Sequence, residues 1–447
     1  MPIKYSRNRR AFLRAQCHDM FSRRQFLETA GTIGAFALAM IRPRAGQAGG
    51  SLISEFFHFD REIQKCMAAR SVPGGALAVV EEGRLVYARG YGWADRENKI
   101  PAKPGSLFRI ASISKPFTAV AVLKLVERGK TSLDTGVFDL LALGAEPMQP
   151  KGGKFDERWK QITVRHLLQH TGGWDRDKSF DPMFRSRQIA KTLGIASPPG
   201  PRDIIRYMLD QPLDFDPGTR YAYSNFGYCI LGRVIEKVAG MSYEKFVQSS
   251  VLAPIGIQQM RVGASLESKR AEGEVRYYMP RDEMTESVFD AHPGRVPWPY
   301  GGFCLETMDA HGGWIASAVD LARFAAAFHD PEHCPLLKPE TIRTLHAPPA
   351  SPVSRNDDGS LKDHYYGCGW LIRPVGTEGK ANWWHTGSLP GTYTLLVRRH
   401  DGVSWAALFN QRSDDDKLPD SEIDPALHRA ANAVIRWPKF DLFRQYR

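Results

Sequence analysis

The stretch FRIASISKPFTAVAV, from Phe108 to Val122, places a charged amine, Lys115, at the mouth of a long apolar run. Two serines precede it, Ser112 and Ser114. On a helix, residues three apart share a face, whereas adjacent ones point about 100° apart, so Ser112 faces Lys115 and Ser114 does not. Pro116 is accepted only in a first helical turn, which predicts a helix start near Ser112. Free backbone N–H groups and the positive end of the helix dipole gather at that point and favour an anion. Phe117 to Val122 are nearly all apolar, so the helix is predicted to be buried and Lys115 desolvated. Desolvation drives a lysine toward its neutral form, able to take the Ser112 proton. The run ends at Gly129, a helix stop.

S-x-x-K occurs again at Ser242-Tyr243-Glu244-Lys245, where Ser242 reads as the cap of a polar helix. Two further motifs separate the copies. Tyr223-Ser224-Asn225 is the only Y-x-N in the chain and lies between a Pro/Gly turn and a helix. His385-Thr386-Gly387-Ser388 is predicted to end a Trp-rich strand, with Gly387 letting backbone approach a ligand. H-T-G also occurs at His170-Thr171-Gly172, closing a helix, with His170 placed to meet its last carbonyls. His166 and His170 have the i, i+4 spacing of a helical zinc site but lack the accompanying glutamate, so zinc is not assigned.

Around these motifs the elements follow an order. A helix is predicted over Phe56–Ala69, and Ala76–Val80 and Leu85–Ala88 form a hairpin about Glu82-Gly83. Helices over 164–170, 203–209, 227–238, 243–252 and 318–328 fill the middle. Strands return at Tyr366–Ile372, Asn382–His385, Tyr393–Arg398 and Val403–Phe409, the last two joined at Asp401-Gly402, and a helix over Pro425–Ile435 closes the chain. The expected class is α/β (α+β): an antiparallel sheet flanked by helices, built from both chain ends, with an inserted, mostly helical domain. The expected division is 49–130 with 331–447 for the sheet domain and 131–330 for the insertion.

The 447 residues carry 60 Lys/Arg against 49 Asp/Glu, a net charge of +11, with 43% apolar residues and 10 Trp. Residues 1–48 hold 9 basic and 2 acidic residues, leaving 51 against 47 for the rest, so the body is nearly balanced and a nucleic-acid role is set aside. The basic excess sits on a targeting segment. Ser22-Arg23-Arg24-Gln25-Phe26-Leu27 is a twin-arginine signature, followed by an 11-residue apolar run, Gly31 to Ile41, where a bilayer-crossing helix needs roughly 20. Gly46 and Ala48 suit a signal-peptidase site. Residues 1–48 are therefore expected to be a removed signal that engages the twin-arginine export machinery, leaving a periplasmic or secreted protein with no stable membrane span. Met20 is an alternative start to Met1. Five cysteines remain beyond the signal, an odd number with no C-x-x-C spacing.

In this order, S-x-x-K, Y-x-N and H-T-G resemble the motifs of the penicillin-recognising serine hydrolases, the branch of class C β-lactamases, D-alanyl-D-alanine carboxypeptidases, D-aminopeptidases and lactamase-like esterases. The resemblance runs from about 55 to 435 and includes LLQHTGGW, DFDPGTRYAYSNFGY, GGWIASAVDLARF and HTGSLPGTY. It implies a β-lactamase/transpeptidase-like fold, Ser112 as nucleophile, Lys115 and Tyr223 as proton carriers, and Asn225 holding Lys115 and the substrate amide. It also implies an oxyanion hole from the backbone N–H groups of Ser112 and Ser388, no cofactor or metal, and a small-molecule or peptide substrate, cell-wall peptides among the candidates. No match to the separate deacylating glutamate of class A is found, which leaves deacylation to Tyr223 and water. His385 stands where the β-lactamases have lysine. With an ordinary pKa near 6.5 it is expected to be charged only in mild acid, so carboxylate substrates should gain near pH 6. A carboxylesterase and a non-catalytic binder of cell-wall peptides are the competing readings, the latter disfavoured by the intact Ser112, Lys115, Tyr223 and Asn225.

Overall fold

The computed structural model describes residues 56–145, 155–376 and 379–446. Residues 1–48, expected to be a twin-arginine signal, lie outside the described residues. The labelled elements are helix α1 (Phe57–Arg70), strands β1 (Gly74–Glu81), β2 (Arg84–Asp95) and β3 (Ile100–Pro101), helices α2 (Ser114–Glu127), α3 (Asn225–Ala239) and α4 (Ala318–Ala326), strands β4 (Tyr365–Tyr366), β5 (Leu371–Val375), β6 (Lys380–Leu389), β7 (Thr392–Arg398) and β8 (Val403–Phe409), and helix α5 (Ile423–Asn432).

These strands form one eight-stranded sheet in the order β3-β2-β1-β8-β7-β6-β5-β4, antiparallel throughout. The two ends of the chain meet where β1 pairs with β8, Leu77 opposite Ala407. The β1–β2 turn sits at Glu82-Gly83, both with positive φ, 46° and 77°. That geometry follows the right-handed twist of the strands it joins.

β1 reads GGALAVVE and is buried on both faces because the sheet is covered on both sides. Leu77 and Val79, with Leu395, Val397, Trp405 and Ala407, pack against Phe59 and Ile63 of α1 and Leu427 and Ala430 of α5. Ala76, Ala78 and Val80, with Leu396, Ala406 and Leu408, face the cluster that holds Phe117 of α2 and Phe324 of α4. The side-chain period of two thus divides one strand between two cores. Burying each Leu or Val contributes roughly 1.5–3 kcal/mol. α2 is buried on nearly every side, and Phe117 stacks on Phe324 at 3.9 Å between centroids.

Two strand expectations change. The expected strand Tyr366–Ile372 is split into β4 and β5 by a turn in which Gly367 N–H donates to Trp370 O. A Cβ on Gly369 would lie 2.5 Å from the Ala119 Cβ, and one on Gly367 2.5 Å from Leu345 O, so the two glycines let the turn press onto α2 and its neighbour. The strand expected to end at His385 runs on to Leu389, paired with β7 along its length, which sets H-T-G inside the strand. The closing helix ends at Asn432 rather than Ile435. Among the described residues no helix is long and apolar enough to cross a membrane.

Candidate active site

Ser112 lies in a single tight turn, Ala111–Ile113, that runs straight into α2. Ala111 has φ 48°, a left-handed conformation that costs a residue with a Cβ about 1–2 kcal/mol. Two bonds hold that strain: Ile110 N–H donates to Trp314 O at 2.9 Å, and Ser114 Oγ donates to Ala111 O at 2.7 Å. Ser114 is fully buried and spent on this turn, whereas Ser112 is only half-buried. Strained backbone of this kind concentrates where a side chain must be presented.

Lys115 has no exposed surface. Its Nζ lies 2.8 Å from Asn225 Oδ1, 2.9 Å from His311 O and 3.1 Å from Ser112 Oγ. Two of these partners are oxygens that only accept, so they take two N–H bonds. A neutral amine then has its lone pair left for the Ser112 hydroxyl. Burial lowers the lysine well below its ordinary value, and the nearby Arg176 charge lowers it further. The amine is therefore held toward the form that can accept a proton.

Tyr223 lies on the other side of the serine. Its hydroxyl interacts with Ser112, and Lys115 Nζ stands 4.7 Å from its ring centroid. Burial pushes the phenol up, away from phenolate. Opposite shifts on two groups beside one hydroxyl are the arrangement in which one could take a proton and the other give one.

Asn225 opens α3, whose cap is Ser224, the side chain accepting from Gly227 N–H. Its Nδ2 donates to Asp181 Oδ2 at 2.7 Å, which fixes the amide so that Oδ1 faces Lys115. Asp181 Oδ1 is occupied by Met183 N–H at 3.1 Å. Nothing in the spacing of the sequence marks Asp181, because its partner is 44 residues away.

The first H-T-G has a different task from the one expected. The His170 backbone N–H donates to Leu167 O at 3.4 Å, but its ring does not turn to the carbonyls of its own helix. Its ring Nδ1 accepts Ser224 N–H at 3.1 Å, its backbone oxygen accepts Ala222 N–H at 2.9 Å, and its ring lies 4.3 Å from that of Tyr223. His170 thus clamps the tyrosine segment from both sides. His166 Nδ1 accepts Thr163 N–H at 3.3 Å, so each histidine of the i, i+4 pair commits a ring nitrogen to backbone.

His385 departs most from expectation. It is 2% exposed, Nδ1 lies 2.7 Å from Thr386 O and Nε2 lies 2.9 Å from Tyr366 Oη. A carbonyl only accepts, so Nδ1 carries the hydrogen and Tyr366 donates to Nε2. Burial first, then the Lys115 charge, lowers the ring to about 3. A gain near pH 6 from charging His385 does not follow, because its environment keeps the ring neutral there. Gly387 keeps its expected importance for backbone approach: a Cβ there would lie 2.1 Å from Ile110 O. β6 therefore closes directly on the serine turn, with Thr386 and the exposed Ser388 on either side of Gly387. All eight residues singled out by the motifs thus lie on the serine turn and the first turn of α2, the segment entering α3, or the β6 stretch that meets the serine turn, while sequence reasoning missed Asp181 and the His311 carbonyl and gave His170 another role.

Among the described residues no cluster of His, Cys, Asp and Glu is arranged to hold a metal. The five described cysteines are free, and burial raises Cys66 to about 11 and Cys229, Cys304 and Cys368 to about 12, which makes those four poor nucleophiles.

The profile of the Beta-lactamase family matches residues 59–427. The chain belongs to that family. It is a serine hydrolase. Among curated relatives, it is similar to Penicillin-binding protein 4* of Bacillus subtilis (strain 168), 28% identical over 82% of this chain and 73% of that protein. It is also similar to Esterase EstB of Burkholderia gladioli, 27% identical over 70% of this chain and 76% of that one. The octameric penicillin-binding protein homologue from Pyrococcus abyssi shares the fold, with a TM-score of 0.62 and 25% identity over 88% of this chain and 80% of its own.

Proposed function

We propose that the protein is an exported, periplasmic hydrolase that cleaves amide or ester bonds through an acyl-enzyme on Ser112, acting on β-lactam or D-alanyl-like peptide substrates. The observation that carries this reading is the three-partner site of Lys115, fully buried between Ser112, Asn225 and His311 O. In acylation Ser112 Oγ attacks the carbonyl carbon and its proton passes to Lys115 Nζ. The Tyr223 phenol gives its proton to the leaving nitrogen or oxygen as that bond breaks. A phenolate beside an ammonium remains, and the attraction between the two opposite charges offsets the cost of burying them. Water then attacks the acyl carbon and gives its proton to Tyr223, while Lys115 returns its proton to Ser112 Oγ as the ester breaks. The backbone N–H groups of Ser112 and Ser388 are assigned to the carbonyl oxygen, where charge develops.

A second reading, a carboxylesterase of the lactamase-like type, is favoured by one observation: the neutral, enclosed His385 brings no charge for a substrate carboxylate. Nitrocefin, p-nitrophenyl butyrate and D-Ala-D-Ala peptides, offered to the mature protein, separate the two. Ser112→Ala should abolish turnover and labelling by a fluorophosphonate or penicillin probe, and Ser114→Ala should keep the labelling. A Ser112→Ala variant that is still labelled at another serine would contradict the assignment.

A further inference from the structure

Position 385 is where the sequence seeks a charge to meet an anionic substrate group, and the folded chain seals a neutral ring there. A cation stands at the site on another element. Arg176 follows His170-Thr171-Gly172-Gly173 in the loop that leads to Asp181. Its side chain is exposed, and its guanidinium carbon lies 4.8 Å from the centroid of the Tyr223 ring. Its charge is felt at Lys115, His170, Tyr223 and Asp181, all of them lining or supporting the serine.

Apart from the adjacent, exposed Asp177, the neighbouring charges are already engaged. Asp175 accepts from Arg220 at 2.9 Å, and Lys178 donates to Asp214 O at 3.1 Å. Asp181 has one oxygen on Asn225 and the other on Met183 N–H. Among the described residues none accepts a hydrogen bond from the Arg176 guanidinium. A guanidinium that rests its face on an aromatic ring keeps its planar N–H edge open, in the fork that matches a carboxylate.

We propose that Arg176 is a specificity residue that receives a carboxylate of the substrate over Tyr223, taking the part that position 385 does not play. This rests on the hydrolase reading above and names the substrate class for it: acyl compounds bearing an anionic group.

Two matched pairs test it, one with the carboxylate on each side of the scissile bond. They are p-nitrophenyl hemiglutarate against p-nitrophenyl butyrate, and a D-Ala-D-Ala peptide against its C-terminal amide. The readout is the ratio of kcat/KM, carboxylate over neutral, in the mature protein. Arg176→Gln should lower that ratio by about 10- to 100-fold in at least one pair, the range of a charge-assisted hydrogen bond. Arg176→Lys should restore part of it, and Arg176→Glu should lower it further. The ratio, rather than either rate, is the measure, because removing Arg176 also relieves its repulsion of the Lys115 ammonium. An active wild type whose ratios stay within about twofold in Arg176→Gln overturns the assignment, and so does a wild type that turns over only the neutral members. A wild type inactive on all four substrates and unlabelled by fluorophosphonate overturns the hydrolase reading, and this assignment with it.

Discussion

Ser112-Lys115 and Ser242-Lys245 share a spacing, and both serines sit at the entrance to a helix. At the first, the lysine is wholly enclosed and reaches Asn225 and His311 O, partners 110 and 196 residues away. At the second, Ser242 and Lys245 are both exposed, and Ser242 caps Tyr243–Val247 without a side-chain bond. That second helix is not polar all round as expected, since Tyr243, Phe246 and Val247 are buried. Tyr243 Oη packs between Thr118 Oγ1 at 2.7 Å and Trp314 Nε1 at 3.1 Å, so the second copy buttresses the helix of the first. The comparison teaches that three-residue spacing supplies only proximity. The chemistry comes from burial, which shifts the amine, and from distant acceptors, which orient it.

Removing each lysine breaks the comparison most sharply. Lys115→Ala should lower turnover by about 10⁴, the upper range for a positioned acid/base, whereas Lys245→Ala should stay within about twofold. Equal losses would remove the distinction. Next in size, Tyr223→Phe should keep the fold and lower kcat by roughly 10²–10⁴, read by steady-state kinetics beside circular dichroism. Wild-type rates in that variant would leave Tyr223 a packing residue only.

The two H-T-G copies make a parallel comparison with smaller effects. His170→Ala leaves Ser224 N–H without its acceptor and should destabilise the protein by about 1–3 kcal/mol in urea unfolding, with a fall in kcat as Tyr223 loosens. For His385, the ratio of carboxylate to neutral substrate should be flat from about pH 5.5 to 8, since the ring charges only near 3. The stability sign follows from the same value. The folded ring refuses a proton that the unfolded one takes near 6.5, so this position contributes stability above about 6.5 that is lost as pH falls toward 3. His385→Gln should lose part of that acid sensitivity, read as Tm against pH.

Much of this was legible in the sequence where one element decides the matter. The apolar run after Pro116 gave α2 and its burial, and Glu82-Gly83 gave the hairpin that orders the sheet. Other features were hidden because their cause lies across the fold. Gly367-Cys368-Gly369 reads as the inside of a strand until α2 is known to lie against it. Asp181 and the His311 carbonyl act through partners 44 and 196 residues distant, and a carbonyl leaves no mark in residue type. His385 misled for a related reason: its charge depends on enclosure by Tyr366 and the Thr386 carbonyl, while its letter suggests an exposed, titrating ring.

The central claim is that enclosure makes Lys115 a neutral base. Its direct test is a pH titration of the ¹³Cε resonance of Lys115 in protein labelled at lysine, assigned by comparison with Lys115→Arg. An ordinary lysine titrates near 10.4. The expected result is a midpoint well below that value, with activity rising along the same curve. A resonance that keeps the ammonium position beyond about pH 10 would contradict the account.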